Sequence, residues 1–190
     1  CIHASALNFL STGNANVQIE GPASYRSLER AETSPSRMIL RDLTGRVPTV
    51  TVALGAGCLW HMEFALRRLP GVVRTVAGYA GGSTASPTYQ QVCAGNTGHA
   101  ETVLVEFDPA ILDPKKLFGC FLALHNPTRV RAHGKCAVGC GQYRSCIFLP
   151  SFGGPGVEEA ARGALCDCQA QLDNRELSTE LRILDGDWFW

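Results

Sequence analysis

Cys58 is the residue whose type and setting point most directly to chemistry. It follows a glycine turn, Gly55-Ala56-Gly57, and precedes Leu59-Trp60, where a new apolar periodicity begins. A cysteine between a strand-ending turn and the first turn of a helix meets free backbone N–H groups and the positive end of the helix dipole. Both stabilise a thiolate, the nucleophilic and redox-active form. Flanking glycines let backbone donors approach closely, and Trp60 offers a flat apolar wall. The same pattern also suits a small residue in a tight turn with Trp60 in the core, so on local grounds both readings stand. The remaining cysteines, at 1, 93, 120, 136, 140, 146, 166 and 168, bring the total to nine. An odd count is not a closed disulfide framework, and a chain of this length does not need staples, which favours a reducing compartment. Cys136 and Cys140, with His133 and either Cys166 or Cys168, are spaced acceptably for zinc, although no second well-spaced pair accompanies them.

The elements that must position Cys58 follow from periodicity. Thr49 to Gly55 reads as a strand, and Leu59, Met62, Leu66 and Leu69 mark one face of the helix that Cys58 heads, stopped by Pro70-Gly71. Val72 to Tyr79 is a second strand. Glu101 to Phe107 alternates strictly, with Val103, Val105 and Phe107 on one face, and Asp108-Pro109 closes it. Asp113-Pro114 is an N-cap followed by proline at the first helical position, and Leu117, Phe118, Phe121 and Leu122 form that helix's buried stripe. Tyr143 to Leu149 is a further strand. Val157, Ala160, Ala161, Ala164, Leu165 and Cys168 mark a third helix, and Leu177 to Leu184 a last strand. The order β-α-β-β-α-β-α-β predicts an α+β domain and excludes a doubly wound parallel sheet.

The chain has 190 residues, enough for one domain, and its 45% hydrophobic and 18% charged residues place it among ordinary globular proteins. Lys+Arg and Asp+Glu both number 17, so neither sign dominates and nothing suggests a nucleic-acid or membrane surface. Residues 1–46, rich in Ser, Ala, Asn and Arg, are expected to be an extension, flexible or left from a targeting segment, and residues 47–190 the folded domain, catalytic if Cys58 is the nucleophile. No apolar signal segment is visible, so an intracellular location, cytoplasmic or organellar, is expected.

A set of motifs then falls in a fixed order. Gly57-Cys58-Leu59-Trp60 is followed by Gly78-Tyr79-Ala80-Gly81-Gly82, Pro87-Thr88-Tyr89 and Val92-Cys93-Ala94-Gly95. Thr97-Gly98-His99-Ala100-Glu101, Phe107-Asp108-Pro109, His125-Asn126-Pro127-Thr128 and Gln142-Tyr143-Arg144-Ser145 complete it. Together, over about residues 50 to 190, they resemble the peptide methionine sulfoxide reductase A family. The resemblance implies a two-layer, ferredoxin-like sandwich with a mixed, mainly antiparallel sheet and the catalytic cysteine at a helix N-terminus. It implies thiolate attack by Cys58 on the sulfur of methionine S-sulfoxide, free or in peptides, leaving a sulfenic acid. Glu101 matches the family's acid, and Tyr89 and Tyr143 its two oxygen-holding tyrosines. Leu59 and Trp60 fall where the pocket for the substrate's methyl group is built. No bound cofactor or metal is implied, only an external thiol reductant such as thioredoxin. The expected partners are oxidised proteins or free methionine sulfoxide and thioredoxin, and the chain is expected to be a monomer.

Four departures accompany the resemblance. Leu59 stands where the family usually has Phe, and His61 where it has Gly; His61 is expected to be exposed. Val138 replaces an Asp before Tyr143, and no Asp or Glu occurs between Asp113 and Glu158 to restore it. The chain also ends at Trp188-Phe189-Trp190, where the family continues into a tail that often holds the recycling cysteines. Cys136 and Cys140, in the loop before Tyr143, are the leading candidates for the resolving thiol. Cys93, Cys120 and Cys146 are expected to be structural. Two alternatives remain: a weakened relative serving as a redox-responsive binding module, and a zinc-binding domain through Cys136 and Cys140.

Overall fold

The computed structural model describes residues 48–129, 141–154 and 156–190. The expected extension over 1–46 lies outside them, as do Cys136, Cys140, His133 and Val138. At the centre is β1 (Val50–Ala56), whose alternating β-branched and small residues suit a strand covered on both sides. It pairs antiparallel with β3 (Ala100–Phe107), Leu54 opposite Val103, and antiparallel with β4 (Ser145–Pro150), Gly55 opposite Cys146. β2 (Val72–Ala80) lies outside β3, again antiparallel. β5 (Glu180–Leu184) runs parallel to β4. The sheet order β2-β3-β1-β4-β5 is therefore mixed and mainly antiparallel, as expected.

Helices α1 (Leu59–Leu66), α3 (Pro114–Ala123) and α4 (Val157–Ala170) share one sheet face. Val52, Leu54, Val103, Val105 and Phe107 point up from the sheet, and Leu59, Met62, Leu66, Leu117, Phe118 and Phe121 come down onto them. The α3 stripe is the one its sequence predicts, and Asp113 caps that helix by accepting the Lys116 N–H at 3.1 Å. α4 supplies the crossover that a parallel β4–β5 pair requires. The opposite face is thinner: Ala53, Ala80, Ala100, Cys146, Phe148 and Leu184 are covered partly by Trp188 and Phe189. That final segment reaches the outer edge of β2, where Trp190 and Tyr79 exchange backbone hydrogen bonds of 2.8 and 2.9 Å.

Three expectations shift. A short helix, α2 (Tyr89–Cys93), occupies what reads as loop. β4 begins at Ser145, because Tyr143 and Arg144 lie in a turn closed by Arg144 N–H to Gly141 C=O at 3.1 Å. β5 begins at Glu180, since Ser178 is already committed to the Pro127 carbonyl through both its N–H and its hydroxyl. Among the described residues no helix is long and apolar enough to cross a membrane.

Candidate active site

The sheet delivers β1 to a sharp turn. Gly57 takes a φ of 110°, a region closed to most side chains, and Cys58 follows in extended conformation as the N-cap of α1, exposed to solvent. Its side chain makes no cap hydrogen bond, so the thiol is not spent on the helix. Gly55, two residues before the turn, is packed so closely that a Cβ would lie 2.6 Å from the Glu101 carbonyl oxygen and 2.8 Å from Cys146 Sγ. The missing side chain is what lets β1 run against the start of β3.

Glu101 stands at that start, 4% exposed. Its backbone N–H donates to the Gln142 carbonyl at 2.7 Å, which ties β3 to the turn bearing Tyr143. Its carboxylate accepts the Leu59 N–H at 3.4 Å and the Tyr143 hydroxyl. Burial raises the Glu101 pKa above the usual carboxylate value; the Leu59 and Tyr143 hydrogen bonds oppose this without cancelling it. A carboxyl group whose pKa is raised keeps its proton to a higher pH than a free glutamate does.

The two tyrosines expected in the site come together with it. The Tyr143 hydroxyl is also hydrogen-bonded to Tyr89, and Tyr89 to the thiol of Cys93, one helical turn along α2. Burial is the main cause of the raised Tyr143 pKa, and the charge of Glu101 reinforces it. Tyr89 is raised above the usual phenol range chiefly by its bond to Cys93. α2 forms because Thr88 and Gln91 cap it reciprocally, a Thr-x-x-Gln box that is legible in the sequence once sought.

Cys93 was expected to be structural and is not buried: it is exposed on α2, because Val92 is the residue that turns into the core. Cys146 is fully buried, and its thiol pKa is pushed up to about 12 by that burial, whereas Cys120 packs half-buried against the helix-side core. Tyr79 is a further residue that sequence reasoning passed over. It stands directly across from Glu101 in the β2–β3 register, and burial, then the Glu101 charge, raises it. Of the two expected pocket residues, Leu59 turns into the core at 9% exposure while Trp60 stands 71% exposed beside Cys58. His61 is exposed, as expected.

A buried arginine holds this assembly from below. Arg144, 5% exposed, donates from Nη2 to the Gly98 carbonyl at 3.0 Å, from Nη1 to the Gly141 carbonyl at 3.2 Å and from Nε to Glu180 at 2.8 Å. It therefore binds the approach to Glu101, the turn of Tyr143 and the edge strand β5 at one point. His99, also buried, takes the Gly82 N–H on Nδ1 at 3.2 Å and reaches the Thr84 carbonyl from Nε2 at 2.8 Å.

Comparison with known proteins gives this arrangement a family. Residues 50–181 match the family model "Peptide methionine sulfoxide reductase". The peptide methionine sulfoxide reductase MsrA of Granulibacter bethesdensis is 47% identical over 135 residues, covering 70% of this chain and 70% of that protein. The chain belongs to the peptide methionine sulfoxide reductase family. Peptide methionine sulfoxide reductase A1 of Arabidopsis thaliana is 38% identical over 79% of this chain and 71% of its own length. The structure of methionine sulfoxide reductase A of Corynebacterium diphtheriae superposes with a TM-score of 0.61 at 34% identity, covering 75% of this chain and 68% of that one. The α+β sandwich and mixed sheet expected of a methionine sulfoxide reductase are those described above, and methionine sulfoxide reduction is the activity that goes with the family.

Proposed function

We propose that this chain reduces methionine S-sulfoxide, in peptides or free, with Cys58 as nucleophile and Glu101 as proton donor. The observation carrying this reading is the contact between Leu59 N–H and Glu101 Oε2, which sets a buried carboxyl at the head of the helix that Cys58 begins. In the first step the Cys58 thiolate attacks the substrate sulfur while Glu101 protonates the sulfoxide oxygen. The S–O bond breaks as the oxygen passes to Cys58, releasing methionine and leaving a sulfenic acid on the enzyme. Tyr143 and Tyr89 hold the oxygen during transfer, and Trp60 walls the substrate's methyl group.

A sulfenic acid is discharged by a thiol: a new S–S bond forms and water leaves, and an external dithiol then reduces that disulfide by two exchanges, itself becoming a disulfide. Cys136 and Cys140 remain the candidates from the sequence. Cys93 joins them, since it is exposed and shares the Tyr89–Tyr143 chain of hydrogen bonds. The reductant we propose is thioredoxin, in a reducing intracellular compartment.

The test is NADPH consumption with thioredoxin and its reductase on each epimer of N-acetyl methionine sulfoxide. Turnover of the S epimer, lost in Cys58→Ser and reduced by about 10²–10⁴-fold in Glu101→Gln, is the expected outcome. A Cys58→Ser protein as active as the parent would refute the assignment. Absence of turnover above that control would leave only a redox-responsive binding role.

A further inference from the structure

Helix α1 begins at Cys58 and leaves one face uncovered. Leu59, Met62 and Leu66 turn into the core, while Trp60 (71% exposed), Phe64 (51% exposed), Arg67 and Arg68 face solvent. Trp60 and Phe64, four residues apart, share one side of α1, and Arg67, its C-cap, and Arg68, in the turn just beyond, extend it. The Arg68 guanidinium carbon lies 3.6 Å from the Phe64 ring centroid, and that of Arg67 lies 5.7 Å away. Stacking on an aromatic ring orders both cations. Neither has a carboxylate partner among the described residues. Glu63, the acidic residue within α1, accepts instead from Thr75 Oγ1 at 3.0 Å.

A stripe that is aromatic near the thiol and cationic further away suits a polypeptide better than a free amino acid. A helix rises about 1.5 Å per residue, so Phe64 lies roughly 9 Å along the axis from Cys58, and both guanidinium groups gather at its ring. An extended chain advances about 3.3 Å per residue. Phe64 and the two guanidinium groups at its ring are then reached about three to five residues from a sulfoxide held at Cys58.

We propose that this face of α1 docks the substrate polypeptide and selects chains with an acidic side chain about three to five residues from the methionine sulfoxide. The proposal rests on the peptide-reductase reading above and names the class of peptide that site takes. Trp60 and Phe64 cover the intervening apolar side chains, and Arg67 and Arg68 pair with the acid. Because the charges are exposed, salt weakens the preference.

The experiment uses three undecapeptides with a single central methionine sulfoxide and Glu, Ala or Lys at the third to fifth positions from it on either side. Dithiothreitol is the reductant, and each kcat/KM is normalised to N-acetyl methionine sulfoxide turned over by the same protein. The expected ratio of Glu to Lys peptide is about five- to tenfold at low salt, collapsing towards one at high salt and inverted in the double variant Arg67→Glu/Arg68→Glu. A ratio near one in the parent, or one unmoved by charge reversal, overturns the proposal. A charge reversal that shifts the KM for thioredoxin and not for the peptides also overturns it, by giving the face to the reductant. Fluorescence anisotropy of labelled peptides on the Cys58→Ser protein reads docking without turnover. The Glu peptide is expected to bind tightest; equal affinities refute the inference. Ranked affinities with no turnover on any substrate would leave the docking face standing and strike the catalytic reading instead.

Discussion

The backbone N–H of Leu59 points at the Glu101 carboxylate, 3.4 Å from Oε2, so the first free amide of α1 is directed at the acid and not at the neighbouring thiol. Two groups therefore share one helix terminus. The exposed thiol of Cys58 has solvent and the helix end, while the buried carboxyl has this amide and the Tyr143 hydroxyl. Burial still dominates at Glu101, and the proton stays on to a higher pH than on a free glutamate.

That balance sets a sign for stability against pH. A group whose folded pKa is raised stabilises the fold fully below its unfolded pKa, about 4.3, and loses that contribution as pH rises through the higher folded value. Glu101→Gln removes the charge while keeping the shape. Its melting temperature is expected to equal the parent's near pH 4 and exceed it at pH 7, measured by thermal denaturation at both. Equal melting temperatures at pH 7 would remove the desolvation account.

Tyr143 is hydrogen-bonded to Glu101, and Tyr89 to Tyr143. Tyr143→Phe is expected to lower kcat by about 10–100-fold, and Tyr89→Phe by less, with the double variant close to Tyr143→Phe alone because the two act in series. Since the Tyr143 hydroxyl lowers the Glu101 pKa, its loss should also carry the alkaline limb of the pH–rate profile to higher pH. Additive losses would separate the tyrosines.

Arg144→Met leaves the carbonyls of Gly98 and Gly141 without that donor and Glu180 without its 2.8 Å partner. A loss of about 3 kcal/mol in unfolding free energy is expected, measured by urea titration. Glu180→Gln should cost less, since its carboxylate is 29% exposed and its amide oxygen still accepts from Nε.

Gly55→Ala places a methyl 2.6 Å from the Glu101 carbonyl oxygen. Backbone must move to admit it, at about 1–3 kcal/mol of stability. Because the displaced backbone carries the acid, kcat is expected to fall while KM changes little; steady-state kinetics beside calorimetry tests this.

What sequence reveals here depends on how local the signal is. The α3 stripe and its Asp113 cap, the alternation of β3 and the position of Cys58 at a helix head were all readable because neighbours along the chain decide them. α2 escaped because five residues hold too few turns to show a period, and its Thr88–Gln91 box was the one available mark. The early start read into β4 reflects a propensity overruled at Tyr143 by a turn that Arg144 clamps from three directions. Cys93 looked structural because Val92 beside it is apolar, and which of two adjacent side chains faces out is decided by the helix they share. The pairing of Tyr79 with Glu101 joins strands far apart in sequence, and nothing local announces it.

Backbone exchange between Trp190 and Tyr79 caps the outer margin of β2 beside the site. A bare strand margin is a template on which other extended chains assemble. Phe189 and Trp190 occupy that margin, so an extended chain pairing with β2 from outside would first have to displace them.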